Sequence, residues 1–330
     1  MNNKGKCYHM RQRAKVAALI SGTGTTMAAL LYAAKLPDCP YEIVLVASNA
    51  PDAPGLRLAE AEGIATFALD HRGMQRQAHE NAMDEALRQS GADYLALCGY
   101  MRVLTAGFVA RWEGLIVNTH PSLLPLYKGL DTHARAIAAG DPHGGCSVHV
   151  VTPELDEGPL LGQVPVAILP DDTSETLQRR VQLAEYQLYP RMLAQYVSRA
   201  YDAGWLLEQV RERALALPET REVQSHGSPG WRAGGQSGRY FAYFNDEHHG
   251  SPNIALLVKA GDQAELQALV EQDPETYFKP AYYGASGWIG IILNRPGVDW
   301  QHVEDWLERS WRAVAPKCVA ELLPSADDGS

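Results

Sequence analysis

The sequence has 330 residues, 46% of them apolar and 21% charged, the balance of a folded soluble protein of about two domains at ~150 residues each. No run approaches the ~20 apolar residues of a membrane span, and a net charge of −10 disfavours nucleic-acid phosphates and anionic lipid as partners. Five scattered cysteines (Cys7, Cys39, Cys98, Cys146, Cys318) without a C-x-x-C pair exclude a zinc ribbon and a disulfide scaffold and point to a reducing, cytoplasmic setting.

Residues 1–12 read as a basic extension outside the fold. Met1 to Lys15 carries five Lys or Arg and no acid, and it lacks the apolar core of a secretory signal. From Lys15 onward, short apolar runs alternate with amphipathic stretches. Strands are expected at Val16–Ile20, Ile43–Ala47, Ala65–Leu69, Tyr94–Cys98, Leu115–Val117, Ser147–Val151 and Val164–Ile168. Helices are expected at Thr26–Ala34, Gly55–Glu62, Arg76–Gln89, Thr105–Arg111, Asp131–Ala139 and Ser174–Ser198. Unalternated apolar runs separated by helices imply an α/β, doubly wound, mostly parallel sheet covered on both faces.

Composition shifts after residue 200. Six of seven Trp lie beyond it, and acids outnumber bases 19 to 11 there, against 20 to 18 before it. This places a first domain at 13–200, a smaller α+β domain at 201–318 and a tail at 319–330. The second domain should open with a helix at Trp205–Leu217. Strands at Tyr240–Phe244, Ile254–Val258 and Trp288–Leu293 and helices at Gln263–Gln272 and Val303–Ala313 should follow. Gly227-Ser228-Pro229-Gly230 and Gly284-Ala285-Ser286-Gly287 read as loops between them.

Two features carry chemistry. Ser21-Gly22-Thr23-Gly24-Thr25-Thr26 follows the first strand, where glycines, free amides and a helix dipole favour an anion. It fails as a dinucleotide fingerprint, with Met27 at the third glycine position, and as a Walker loop; a small phosphate monoester fits better. Further on, Asn118 and His120 stand two residues apart on leaving a strand, so an extended backbone points both side chains the same way. Glu154-Leu155-Asp156-Glu157-Gly158-Pro159 then puts carboxylates on a later loop. An amide, an imidazole and a carboxylate suffice to move a carbonyl group between amines, because the amine substrate is its own nucleophile. His133, His143 and His149 have no metal spacing with His120, so no metal is expected.

In these motifs, and in Val46-Ala47-Ser48-Asn49, Gly99-Tyr100-Met101-Arg102-Val103-Leu104 and Gly129-Leu130-Asp131-Thr132-His133, the chain over about 15–198 resembles the phosphoribosylglycinamide formyltransferase family. The resemblance implies a doubly wound domain that moves a formyl group from 10-formyltetrahydrofolate, a cosubstrate, to the amine of glycinamide ribonucleotide in purine synthesis. It implies Asn118, His120 and Asp156 as the catalytic trio, and Gly22, Thr23, Gly24, Thr25, Thr26, Pro121 and Glu185 at the ribonucleotide. It implies Met101, Arg102, Val103, Leu104, Val151, Thr152, Pro153, Glu154 and Leu155 at the folate, with Arg76 toward its glutamate tail. Two positions depart from the family: Thr26 stands for the usual Asn, its hydroxyl still able to donate, and Leu126 for a usual Lys, with Lys128 nearby to supply the charge.

Residues 203–317 resemble the MmcQ/YjbR-like family through His226-Gly227-Ser228-Pro229, Tyr240–Phe244, Leu256–Lys259, Gly284–Trp288 and Ser310–Lys317. DNA binding is suggested for such modules, and the excess of acid here argues against it. His226, His248 and His249 lack metal spacing. A structural, regulatory or docking role, through a homodimer or a protein partner, is the expectation. The competing readings are a methionyl-tRNA formyltransferase, which should carry a basic C-terminal extension, a formyl-folate hydrolase, which should carry an N-terminal regulatory domain, and a non-catalytic ribonucleotide or folate sensor.

Overall fold

A computed structural model describes residues 13–225, 227–246, 253–281 and 287–323. The basic extension at 1–12, His226, His248, His249, Gly284-Ala285-Ser286 and the tail beyond 323 lie outside the described residues. The chain divides into two compact units, Met1–Ser198 and Arg199–Ser330.

The first unit is built on a seven-stranded sheet. Its strands are β1 (Ala14–Ile20), β2 (Tyr41–Ser48), β3 (Ala65–Ala68), β4 (Tyr94–Leu97), β5 (Ile116–His120), β6 (His143–Val150) and β7 (Leu160–Ala167). They lie in the order β3-β2-β1-β4-β5-β6-β7. β1 to β5 pair in parallel, whereas β5–β6 and β6–β7 are antiparallel. The sheet is therefore mostly parallel, with an antiparallel edge that the apolar pattern alone did not separate from the rest. β1 is buried on both faces: Val16, Ala18 and Ile20 join one core and Ala17 and Leu19 the other. The first core includes helices α1 (Thr25–Ala34), α2 (Pro54–Ala61) and α6 (Ser174–Ser198); the second includes α3 (Arg76–Gln89) and α4 (Ala106–Arg111). A short helix α5 (Thr132–Ala139) precedes β6. Chain order runs outward from β1 to β3, then crosses to β4 on the other side. The crevice at that switch, beyond the carboxyl ends of β1 and β4, is where open α/β sheets bind ligands.

The second unit carries a six-stranded antiparallel sheet in the order β12-β13-β11-β10-β9-β8. The strands are β8 (Thr220–Ser225), β9 (Ser228–Ala233), β10 (Arg239–Asp246), β11 (Ile254–Lys259), β12 (Tyr277–Phe278) and β13 (Trp288–Ile292). Its helices are α7 (Ala203–Ala216), α8 (Gln263–Gln272), α9 (Trp300–Arg312) and α10 (Lys317–Ala320). Trp231 and Trp311 are fully enclosed, and Trp288 and Trp306 nearly so, so the tryptophans that distinguish this half build its core. One expectation is corrected. Ser228, Pro229 and Gly230 form the start of β9 rather than a loop, pairing with Ser225, Gln224 and Val223 of β8. Glycine suits that strand because a Cβ at Gly230 would fall 2.7 Å from the Tyr243 ring.

Candidate active site

The crevice at the switch is a cleft of about 710 Å³ lined from every side by loops that leave the sheet. On one side lies the turn after β1. Gly24 caps α1 with a left-handed backbone, φ 72°, and no side-chain oxygen occupies the first amides of the helix. They remain free for an anion. The glycines also have a packing reason. A Cβ on Gly24 would meet the Gly55 backbone at 2.9 Å, and one on Gly55 would meet Ile20 at 2.6 Å. Ser21 fastens this turn to the next: its hydroxyl donates to Asn49 Oδ1 at 2.6 Å and accepts from the Met101 amide at 2.8 Å. Met101 to Leu104 are thereby held along the cleft.

The opposite side is made by β5 and β6. Asn118 and His120 are both in β5, so the extended geometry that aligns them persists through His120. The antiparallel register sets His149 of β6 directly across from Asn118. Asn118 Nδ2 donates to His149 Nε2 at 3.2 Å, while His149 Nδ1 donates to the Val150 carbonyl at 3.0 Å. This pattern requires neutral His149 with its proton on Nδ1, and burial pushes its imidazole below the usual range. His120 Nε2 donates to the Tyr127 carbonyl at 3.0 Å. Its Nδ1 stands 3.5 Å from Asp156 Oδ2, and His149 Nε2 stands 3.8 Å from Asp156 Oδ1. Asp156 takes a left-handed backbone, φ 53°, and accepts from the Gly129 amide at 2.9 Å. The gaps to both histidines exceed hydrogen-bond length, so Nδ1 of His120 and one N–H of Asn118 are left for a reacting atom.

All the expected ribonucleotide and folate residues line this one cleft except Arg76. Arg76 stands exposed at the start of α3, outside the lining. Among the folate candidates Met101, Val103 and Leu155 are more than half exposed, as is Leu130 opposite, giving the rim an apolar face. Arg102 Nη1 is buried without a hydrogen-bond partner. Thr26 donates its hydroxyl to Glu185 Oε1 at 2.7 Å, so its one proton is taken and its backbone amide is what remains for an anion. Burial pushes Glu185 up, and the Thr26 hydroxyl pulls it back. Leu126 is exposed, and Lys128 pairs with Glu157 at 2.6 Å. The sequence gives His149 no metal spacing and Ser21 no role beyond opening the glycine turn; the register that places His149 against Asn118 leaves no local sequence signal. Among the described residues no group of three or more His, Cys, Asp or Glu is placed to hold a metal ion.

Residues 14–193 match the formyl transferase family, and residues 215–313 the YjbR family. The chain belongs to the formyl transferase family. The trifunctional purine biosynthetic protein adenosine-3 of Gallus gallus is 42% identical over 193 residues, 58% of this chain and 19% of that protein. The chain thus spans about a fifth of that multifunctional relative. The phosphoribosylglycinamide formyltransferase of Haemophilus influenzae is 39% identical over 180 residues, 54% of this chain and 85% of that protein. The crystal structure of the Brucella melitensis phosphoribosylglycinamide formyltransferase is 48% identical with a TM-score of 0.54, covering 56% of this chain and 95% of that one. The formyl transferase unit thus accounts for nearly the whole of that protein, and the YjbR unit lies beyond it. No helix among the described residues is long and apolar enough to cross a membrane.

Proposed function

We propose that the first unit transfers a formyl group from 10-formyltetrahydrofolate to the amine of glycinamide ribonucleotide. The observation that carries the reading is the convergence of Asn118, His120 and Asp156 at a cleft whose other side is an uncapped helix start. The phosphate would rest on the amides of Gly24, Thr25 and Thr26, with Thr23 and Gly22 completing the turn, Pro121 beside the reacting end and Glu185 receiving donor groups of the ribonucleotide. The folate would lie against Met101–Leu104 and Val151–Leu155, its apolar rings against the apolar rim. Arg76, outside the lining, could serve only a tail that leaves the cleft.

The substrate amine attacks the formyl carbon, a C–N bond forms, and the carbonyl electrons move to oxygen. The free N–H of Asn118 donates to that oxyanion, and His120, with Nε2 on the Tyr127 carbonyl, offers Nδ1 and its positive charge. Asp156, 3.5 Å from Nδ1, faces that imidazole from the side of the loop after β6. The amine's proton passes by way of Asp156 to the folate nitrogen as its bond to the formyl carbon breaks, so no protein nucleophile is needed. Purified full-length protein with both substrates should release tetrahydrofolate, one for each formylated amine. The second unit's acidic balance favours a docking or regulatory role, as a homodimer contact or toward a protein partner, over a nucleic-acid role.

A further inference from the structure

Glu185 projects from α6 and is only 7% exposed, yet it lines the cleft. The titratable groups that face it are Cys98 just past β4, Cys146 on β6 and Tyr189 on α6, and burial pushes all three up. None of them is a cation. Among the described residues the group that favours a charged Glu185 is the Thr26 hydroxyl, donating to Oε1 at 2.7 Å. That donor comes from the first turn of α1, the same turn that leaves its amides free in the cleft. Threonine's β-branch restricts its χ1 to few rotamers, and the hydrogen bond to Glu185 is made from one of them. With Oε1 taken, Oε2 is the oxygen left to a ligand.

We infer that Thr26 is a positioning residue, fixing the Glu185 carboxylate as an acceptor for donor groups of the ribonucleotide and tying that acceptor to the anion-binding turn. The inference rests on the proposed substrate. It changes how the departure at this position is read: threonine here acts through a neighbouring carboxylate and touches the phosphate with its backbone alone. A substrate whose phosphate settles on the α1 amides meets an acceptor already set by the same turn.

Two measurements on the full chain test it. In Thr26→Val the KM for glycinamide ribonucleotide should rise about tenfold, while the KM for 10-formyltetrahydrofolate stays within about twofold and Thr26→Ser restores the wild-type value. In ligand-free protein labelled with ¹³C at glutamate carboxyls, the Glu185 signal, assigned by its absence in Glu185→Gln, should titrate at higher pH in Thr26→Val than in wild type, because the lost donor favoured the charged form. Superimposable Glu185 titrations, or equal rises in both KM values, would overturn the inference. If wild-type protein turns over no glycinamide ribonucleotide, the proposed substrate fails, and the titration alone decides whether Thr26 sets Glu185.

Discussion

His120 Nδ1 and Asp156 Oδ2 stand 3.5 Å apart, with both side chains 7% exposed. They come from unconnected places, one at the end of β5 and the other in the loop after β6. The gap is too long for a hydrogen bond, so Asp156 faces the imidazole without binding its Nδ1. Asp156 is held instead by the Gly129 amide. A carboxylate so placed leaves Nδ1 of His120 available where an oxyanion develops.

Asp156→Asn keeps an oxygen for the Gly129 amide and removes the charge. The rate should fall by about 10²–10⁴-fold, with the thermal melt close to that of wild type. Steady-state kinetics and a melt on the same preparation check this. An unchanged rate would remove Asp156 from the mechanism.

His149 aligns Asn118 without touching the proposed reacting atoms. His149→Ala should lower kcat about tenfold through the misplaced amide. Its folded pKa lies below the ordinary value of 6.5, so the stability its neutral form contributes is complete above that value and is lost as pH falls through the folded pKa. The melting-temperature deficit of His149→Ala should therefore be largest at mildly alkaline pH and shrink in acid. Melts across that range check it.

Glu185 has the opposite sign. Its folded pKa is raised by burial from the ordinary 4.5, so the protein loses stability as pH rises through the folded value. Glu185→Gln should melt higher than wild type near neutral pH, with the gain fading toward the ordinary carboxyl range, while its KM for the ribonucleotide worsens. A lower melt at neutral pH would contradict the burial argument.

Lys128 and Glu157 join the two loops on either side of Gly129 and Asp156, both partly exposed. Exposed pairs contribute at most ~1 kcal/mol, so Lys128→Ala and Glu157→Ala should each lower kcat/KM by less than about fivefold. Because the pair is one interaction, the double variant should match the singles, and added salt should mimic it. Kinetics at low and high ionic strength check both.

A chain ending at Ser198 should fold and keep formyl transfer. The Brucella relative consists almost entirely of this unit, and every residue of the cleft lies between Ser21 and Glu185. A folded but inactive truncated chain would place part of the site in the YjbR unit.

Much of the first unit was legible in the sequence because its central strands β1 and β4 are buried runs and its longest helices, α3 and α6, are amphipathic over many turns. Arg76–Gln89 and Ser174–Ser198 end in the structure where their patterns end. Asn118 and His120 were legible together because a period of two is local. Asp156 and Glu185 came from resemblance, since nothing local says which loop or helix faces β5. The antiparallel pairing of β6 and the position of His149 depend on register between strands distant in sequence. In the second unit Gly230 and Pro229 carry turn chemistry but lie in a strand, where a tyrosine ring occupies the space a Cβ would need.

The most direct test of the whole account is turnover of 10-formyltetrahydrofolate and glycinamide ribonucleotide by the purified protein, followed as tetrahydrofolate release. The account predicts release that requires the ribonucleotide and is nearly abolished in Asp156→Asn. Folded protein that releases none, or releases it equally without the ribonucleotide, would contradict it.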